Sequence, residues 1–159
     1  MVSKTNIQTD FFVPEELSEA QRRVLGNLII RQIIENCNNG IDRNGKPFRK
    51  YDTDYVNSMD FQLADKSKNE VNLQQSGDML ASMEIVASKI GKITIGYPLS
   101  SSYAGQVEGN QLVNGRWFLG LPKQQLNLLI SQVYSQTDTQ TEIAKKTDNL
   151  VSKILGRLL

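Results

Sequence analysis

The sequence has no histidine and a single cysteine among its 159 residues. The first absence removes the commonest general base and the commonest transition-metal ligand. The second excludes an internal disulfide. Cys37 falls on the apolar side of a predicted helix and reads as a small core residue rather than a nucleophile. No stretch reaches the ~20 apolar residues of a membrane span, and the first residues carry no apolar run. Neither a span nor a signal peptide is therefore expected, and a cytoplasm-like compartment is. An excess of one charge is also lacking: 18 Lys and Arg face 17 Asp and Glu, a net charge of +1. No global field then favours nucleic acid or acidic lipid. The hydrophobic share is 39% and the mean hydropathy −0.37. Those values suit a chain that completes its burial against partners, and equally one with long polar loops.

What is present reads as one α+β domain. Residues 1–13 are polar up to Phe11-Phe12-Val13 and suggest an N-terminal arm with an aromatic end that docks. Pro14 and the acidic Glu15, Glu16 and Glu19 suit a helix start, and Leu17, Val24, Leu28, Ile29, Ile33, Ile34 and Cys37 recur at helical spacing. A helix over about 15–38 is expected, with Gly40 stopping it in the left-handed conformation. Asn44-Gly45 marks a turn in the loop that follows. Asp52, Thr53 and Asp54 could cap a short helix through Met59, and Ser76-Gly77-Asp78 opens a helical turn. Residues 83–97 alternate as two strands joined at Lys89-Ile90-Gly91, and Gly96 suggests a bulge or a close backbone approach. A short helix over 103–109 ended by Gly109 and a strand over Arg116–Leu121 come next. Pro122 starts a second long helix with Leu126, Leu129, Ile130 and Val133 on one face. After a polar joint at 135–141, a C-terminal amphipathic helix carries Ile143, Leu150, Val151, Ile154, Leu155 and Leu158. The expected fold is thus a small antiparallel β-sheet packed against a long N-terminal helix and a second helix after the last strand, with that amphipathic helix at the end. The domain limits are an arm at 1–13, an α+β domain at 14–136 and the terminal helix at 137–159.

Few residues are arranged for chemistry. Asp42-Arg43-Asn44-Gly45 resembles the start of a calcium loop, but Lys46 and Thr53 stand where its fifth and twelfth ligands belong. The turn reading is preferred. Arg43, Lys46, Arg49 and Lys50, with Phe48 among them, form a basic loop that reads either as a phosphate or acidic-partner contact or as a solvated loop balanced by Asp42, Asp52 and Asp54. The glutamates at 15, 16 and 19 complement a helix dipole. Ser100-Ser101-Ser102 has no base partner in sight. Arg116-Trp117-Phe118 holds the only Trp between glycines. Strand alternation would turn Phe118 inward and Trp117 outward, and an exposed Trp beside an Arg is the composition of an interface hot spot. The terminal helix either folds back as core or reaches into a neighbour's groove. A catalyst is not expected.

These motifs, taken in order over residues 40–135, resemble the virion-morphogenesis, or tail-completion, family of tailed bacteriophages. Gly45-Lys46-Pro47-Phe48 resembles the family's Gly-x-Pro-aromatic loop. Ser76-Gly77, Leu80 and Ser82 are similar to its Ser/Thr-Gly-x-Leu-x-x-Ser pattern, with the last serine one place early. Ile93-Thr94-Ile95-Gly96 resembles its short strand. Tyr103-Ala104 with Gly109 resembles its Tyr-Ala-x-x-His-x-x-Gly element, the His being absent around Gln106, Val107 and Glu108. Arg116-Trp117-Phe118-Leu119-Gly120-Leu121 is similar to its Arg-Pro-Phe-Leu-Gly-Leu element, with Trp117 in place of Pro. The resemblance implies a non-enzymatic neck subunit, a tail terminator or head–tail joining protein. It would form a ring around the DNA channel, often hexameric, with no cofactor, no metal and no membrane. Its partners would be its own copies, adjacent neck, connector, tail-tube or sheath proteins and, non-specifically, packaged DNA. It would be assembled in the host cytoplasm and reside in the virion. A ring requires two different faces on each copy. Tyr103, Gln106, Glu108, Arg116, Trp117, Ile154 and Leu158 are the expected interface residues. Arg43, Lys46, Phe48, Arg49 and Lys50 are the expected channel or partner loop. The alternative is a nucleic-acid-binding module using that loop at 43–50.

Overall fold

The computed structural model describes residues 2–48, 57 and 77–136. The elements are α1 (Lys4–Ile7), β1 (Gln8–Phe12), α2 (Glu19–Asn38), α3 (Gly77–Ala81), β2 (Glu84–Lys89), β3 (Lys92–Gly96) and α4 (Ala104–Glu108). A π-helical turn spans Gly109–Val113, and α5 covers residues 123–136. The fold is α+β, as expected: a three-stranded antiparallel sheet in the order β1-β3-β2, with helices before and after it. The polar joint expected at 135–141 does not begin at 135, because residues 135 and 136 still belong to α5. Residues 137–141, the C-terminal amphipathic helix and, Asn57 apart, the expected helix over 52–59 lie outside the described residues.

The hairpin of β2 and β3 turns at Gly91, whose φ of 79° suits a residue without a Cβ. β2 carries a bulge between Ile85 and Ala87, so the irregularity sits there and not at Gly96. Gly96 instead makes the close approach: it pairs with Gln8, its φ is 147°, and an added Cβ would collide with the Ile7 carbonyl oxygen and Gln8 Cα. The stretch expected as an arm supplies that pairing. Residues 8–12 are a strand of the sheet, and the docked aromatic is Phe11, which is buried, while Phe12 is exposed. The core therefore begins well before residue 14.

α2 starts later than its acidic residues suggest. Ser18 caps it in a full capping box with Gln21, and Pro14–Leu17 form a turn ahead of it. Side-chain and backbone groups of Ser18 and Gln21 satisfy each other, whereas Glu15 and Glu16 could only add dipole energy. The helix ends as expected. Gly40 takes φ 72°, and the amides of Gly40 and Ile41 donate to the carbonyls of Cys37 and Asn36. Its buried stripe is Leu25, Gly26, Ile29, Ile33 and Cys37, while Val24 faces solvent. Gly26 brings α2 against the sheet: a Cβ there would lie 2.5 Å from Ile85 Cδ1. Burial pushes the Cys37 thiol up to about 12, so it is an inert core group.

α5 runs antiparallel to α2. At its start Gln125 accepts from the Asn36 side chain near the end of α2 (2.7 Å), and at its far end the Tyr134 hydroxyl donates to Glu16 just ahead of α2 (2.8 Å). Leu129 and Val133 complete the core from this side. No helix among the described residues is long and apolar enough to cross a membrane.

Candidate functional site

Three irregular segments, the first far in sequence from the other two, come together on the β1 side of the fold. The first is the hairpin-like loop 41–47, closed by a bridge between Ile41 and Pro47. Asp42 builds its turn: one carboxylate oxygen accepts the amides of Asn44 (2.8 Å) and Lys46 (2.9 Å), and its own amide donates to the Lys46 carbonyl (2.7 Å). Gly45 sits at φ 81°. These bonds are those of an Asx turn, which favours the turn over the calcium reading. Among the described residues no group of three or more His, Cys, Asp and Glu side chains converges.

The second segment is 116–122. The expected strand is not formed. Residues 116–121 join no strand of the sheet, and Phe118 and Leu119 are both buried. The physical reason is that side chains replace the partner strand. The Leu119 amide donates to Gln111 Oε1 (2.9 Å), and its carbonyl accepts from the Thr9 hydroxyl (2.9 Å). Gln111 is 2% exposed, and its other end donates to the Asn6 carbonyl. One buried amide thus ties the segment to the N-terminal turn.

The third is 103–113. α4 does not stop at Gly109, which keeps right-handed helical angles (φ −59°) and passes into the π turn. That turn is closed by the Asn114 amide on the Gly109 carbonyl (3.0 Å). Glu108 accepts from the Ser3 amide (3.0 Å) and the Asn6 side chain (3.1 Å). Those bonds, the Ser3 one foremost, hold its carboxyl below the usual value.

The loops meet at Arg43 and Trp117. The Arg43 amide donates to the Trp117 carbonyl (2.9 Å), and the guanidinium lies 4.6 Å from the centre of the indole ring. Gly120, at φ 155°, lets the Arg43 stem pass; an added Cβ would sit 2.9 Å from Arg43 Cβ. The two sites expected to be separate, the basic loop and the Trp117 edge, therefore share one contact. Trp117 and Arg116 are half-buried, not fully outward. Phe48, expected in the partner loop, is 6% exposed and belongs to the core. Lys46 and Gln106 are exposed and Tyr103 half-buried against the core. Glu108 is spent on the chain's own N-terminal turn. Arg49, Lys50, Ile154 and Leu158 lie outside the described residues.

A groove of about 330 Å³ runs along β1, floored by Leu119, Gly120 and Leu121 and flanked by Arg43, Asn44, Lys123 and Leu126. Sequence reasoning misses it, because residues 8–12 read as part of an arm and nothing local marks Lys123. It also missed the exposed apolar side chains. Phe12 and Ile90 project at one end of the sheet, Leu112 and Val113 from the π turn and Leu128 from α5, each more than half exposed. The runs Phe11-Phe12 and Leu112-Val113 were visible as apolar pairs, but only pairing and turn geometry decide which member turns out.

No protein family, curated protein or solved structure compared with the chain matches it.

Proposed function

We propose that this chain is a structural virion protein of a tailed bacteriophage, a neck or tail-completion subunit that acts by assembly and carries no catalytic centre. The observation that supports this reading best is the convergence at Arg43 and Trp117. Two of the segments that carry the family resemblance, the loop around Gly45–Phe48 and the Arg116–Leu121 stretch, are far apart in sequence and meet there. Such a meeting builds one shared surface rather than separate local turns. The exposed apolar side chains at the sheet end, the π turn and α5 add surface of the kind a subunit covers on assembly.

A ring fits such a surface, because patches on different sides of one copy can meet different patches on the next. A nucleic-acid module built on the basic loop has less support: Phe48, its aromatic residue, is buried and offers no free base-stacking ring. The test is complementation. Tails made without this gene product should fail to join filled heads, and purified full-length chain should restore joining and be found in the resulting particles by mass spectrometry. Particles that form and infect normally without the chain would overturn the proposal.

A further inference from the structure

Among the described residues β1 is an edge strand with no partner on its outer side. The Tyr97 amide donates to the Ile7 carbonyl and the Val13 amide to the Gly91 carbonyl (both 3.0 Å). In an antiparallel ladder these bonds recur at every second residue, so Thr9 and Phe11 face β3, and the N–H and C=O groups of Asp10 and Phe12 point away from the sheet. The edge is neither bulged nor closed by proline, the usual protections. Beside it lies the groove with its apolar floor and two cations. Arg43 and Lys123 make no ion pair with any described carboxylate. The one acidic side chain on this strand, Asp10, is turned to the other sheet face, where it accepts from Thr94 (2.7 Å) and lies 3.9 Å from Lys92.

We propose that the β1 edge accepts an extended segment of another polypeptide as a fourth strand. The incoming segment carries a carboxylate between β-branched or apolar residues. Its backbone pairs with Asp10 and Phe12, alternate side chains rest on Leu121 and Leu126, and the carboxylate reaches Arg43 and Lys123. Backbone pairing gives affinity without sequence, and the groove supplies the preference for acid. This surface is independent of the virion reading, since a strand-accepting edge serves any assembly.

The experiment is an amide-resolved NMR titration of the full-length chain with an eight-residue peptide that alternates threonine and valine around one central glutamate. Its twin with lysine at the centre is run in parallel. The expected result is perturbation centred on Asp10, Phe12 and Lys123, with the glutamate peptide bound about five-fold more tightly than its twin. Phe12→Pro removes an outward N–H while leaving the β1–β3 ladder intact, and it should abolish binding that Phe12→Ala retains. Lys123→Glu, at an exposed position outside the ladder, should invert the peptide preference even if the proline variant folds poorly. Equal binding of both peptides, unchanged preference in Lys123→Glu, or perturbation away from β1 would overturn the proposal. None of these outcomes bears on head–tail joining, so the two proposals fail separately.

Discussion

The sheet-and-helix half of this molecule and its looped half are held by different forces. Between α2 and the strands, Leu25, Ile29, Ile33, Ile93 and Ile95 are fully buried and carry the energy by apolar contact. Around 41–48 and 103–122, single polar side chains hold backbone in place: Asp42 closes one turn, Gln111 bridges two segments, Thr9 caps Leu119 and Glu108 ties down the N-terminal turn. The apolar half tolerates local shifts if volume is kept. The looped half depends on specific atoms, because losing one partner leaves a backbone group unpaired.

The contrast breaks first at Gly96, where both halves touch through β1. Gly96→Ala would force a Cβ into the Ile7 carbonyl at a left-handed φ, and a loss of about 4 kcal/mol is expected in denaturant unfolding. Next is Gln111→Leu, which keeps volume but strands the Asn6 carbonyl and the Leu119 amide. It should cost about 2 kcal/mol and raise hydrogen exchange at Leu119 more than in α2. A volume-keeping swap in the other half, Ile29→Leu, should cost clearly less, about 1 kcal/mol. If the two losses are equal, the distinction between the halves fails. Arg43→Ala removes the stacked guanidinium and should cost about 0.5–1 kcal/mol, with a change in the emission of Trp117, the only tryptophan.

The smallest effect is on pH. Glu108 has a folded-state pKa below its unfolded value, so its bonds to Ser3 and Asn6 are fully present above the ordinary value of 4.5. They are lost as pH falls from there through the lowered folded value. An NMR titration should show the Ser3 amide moving in that acidic window, and Glu108→Gln should abolish the movement.

The same contrast explains how much could be read from sequence. α2, the β2–β3 hairpin and α5 announce themselves by periodicity, and Gly40, Gly45 and Gly96 by their need for a special backbone. Even there the start of α2 was set by the Ser18–Gln21 box and not by the glutamates. The looped half hides because its partners are remote. Nothing local in Thr9 or Gln111 says that each will replace a strand for Leu119, so Arg116–Leu121 reads as a strand on its own composition. The candidate site was legible in its parts, Arg43 and Trp117, but not in their union, which needs two loops separated by most of the fold.

Assembly is the property on which the proposed role turns. Native mass spectrometry of the purified full-length chain, alone and with tail tubes and with portal complexes, tests it. The expected result is a closed ring, either free or formed on one of those partners. A chain that stays monomeric at all concentrations and leaves both tubes and portals unbound would contradict it.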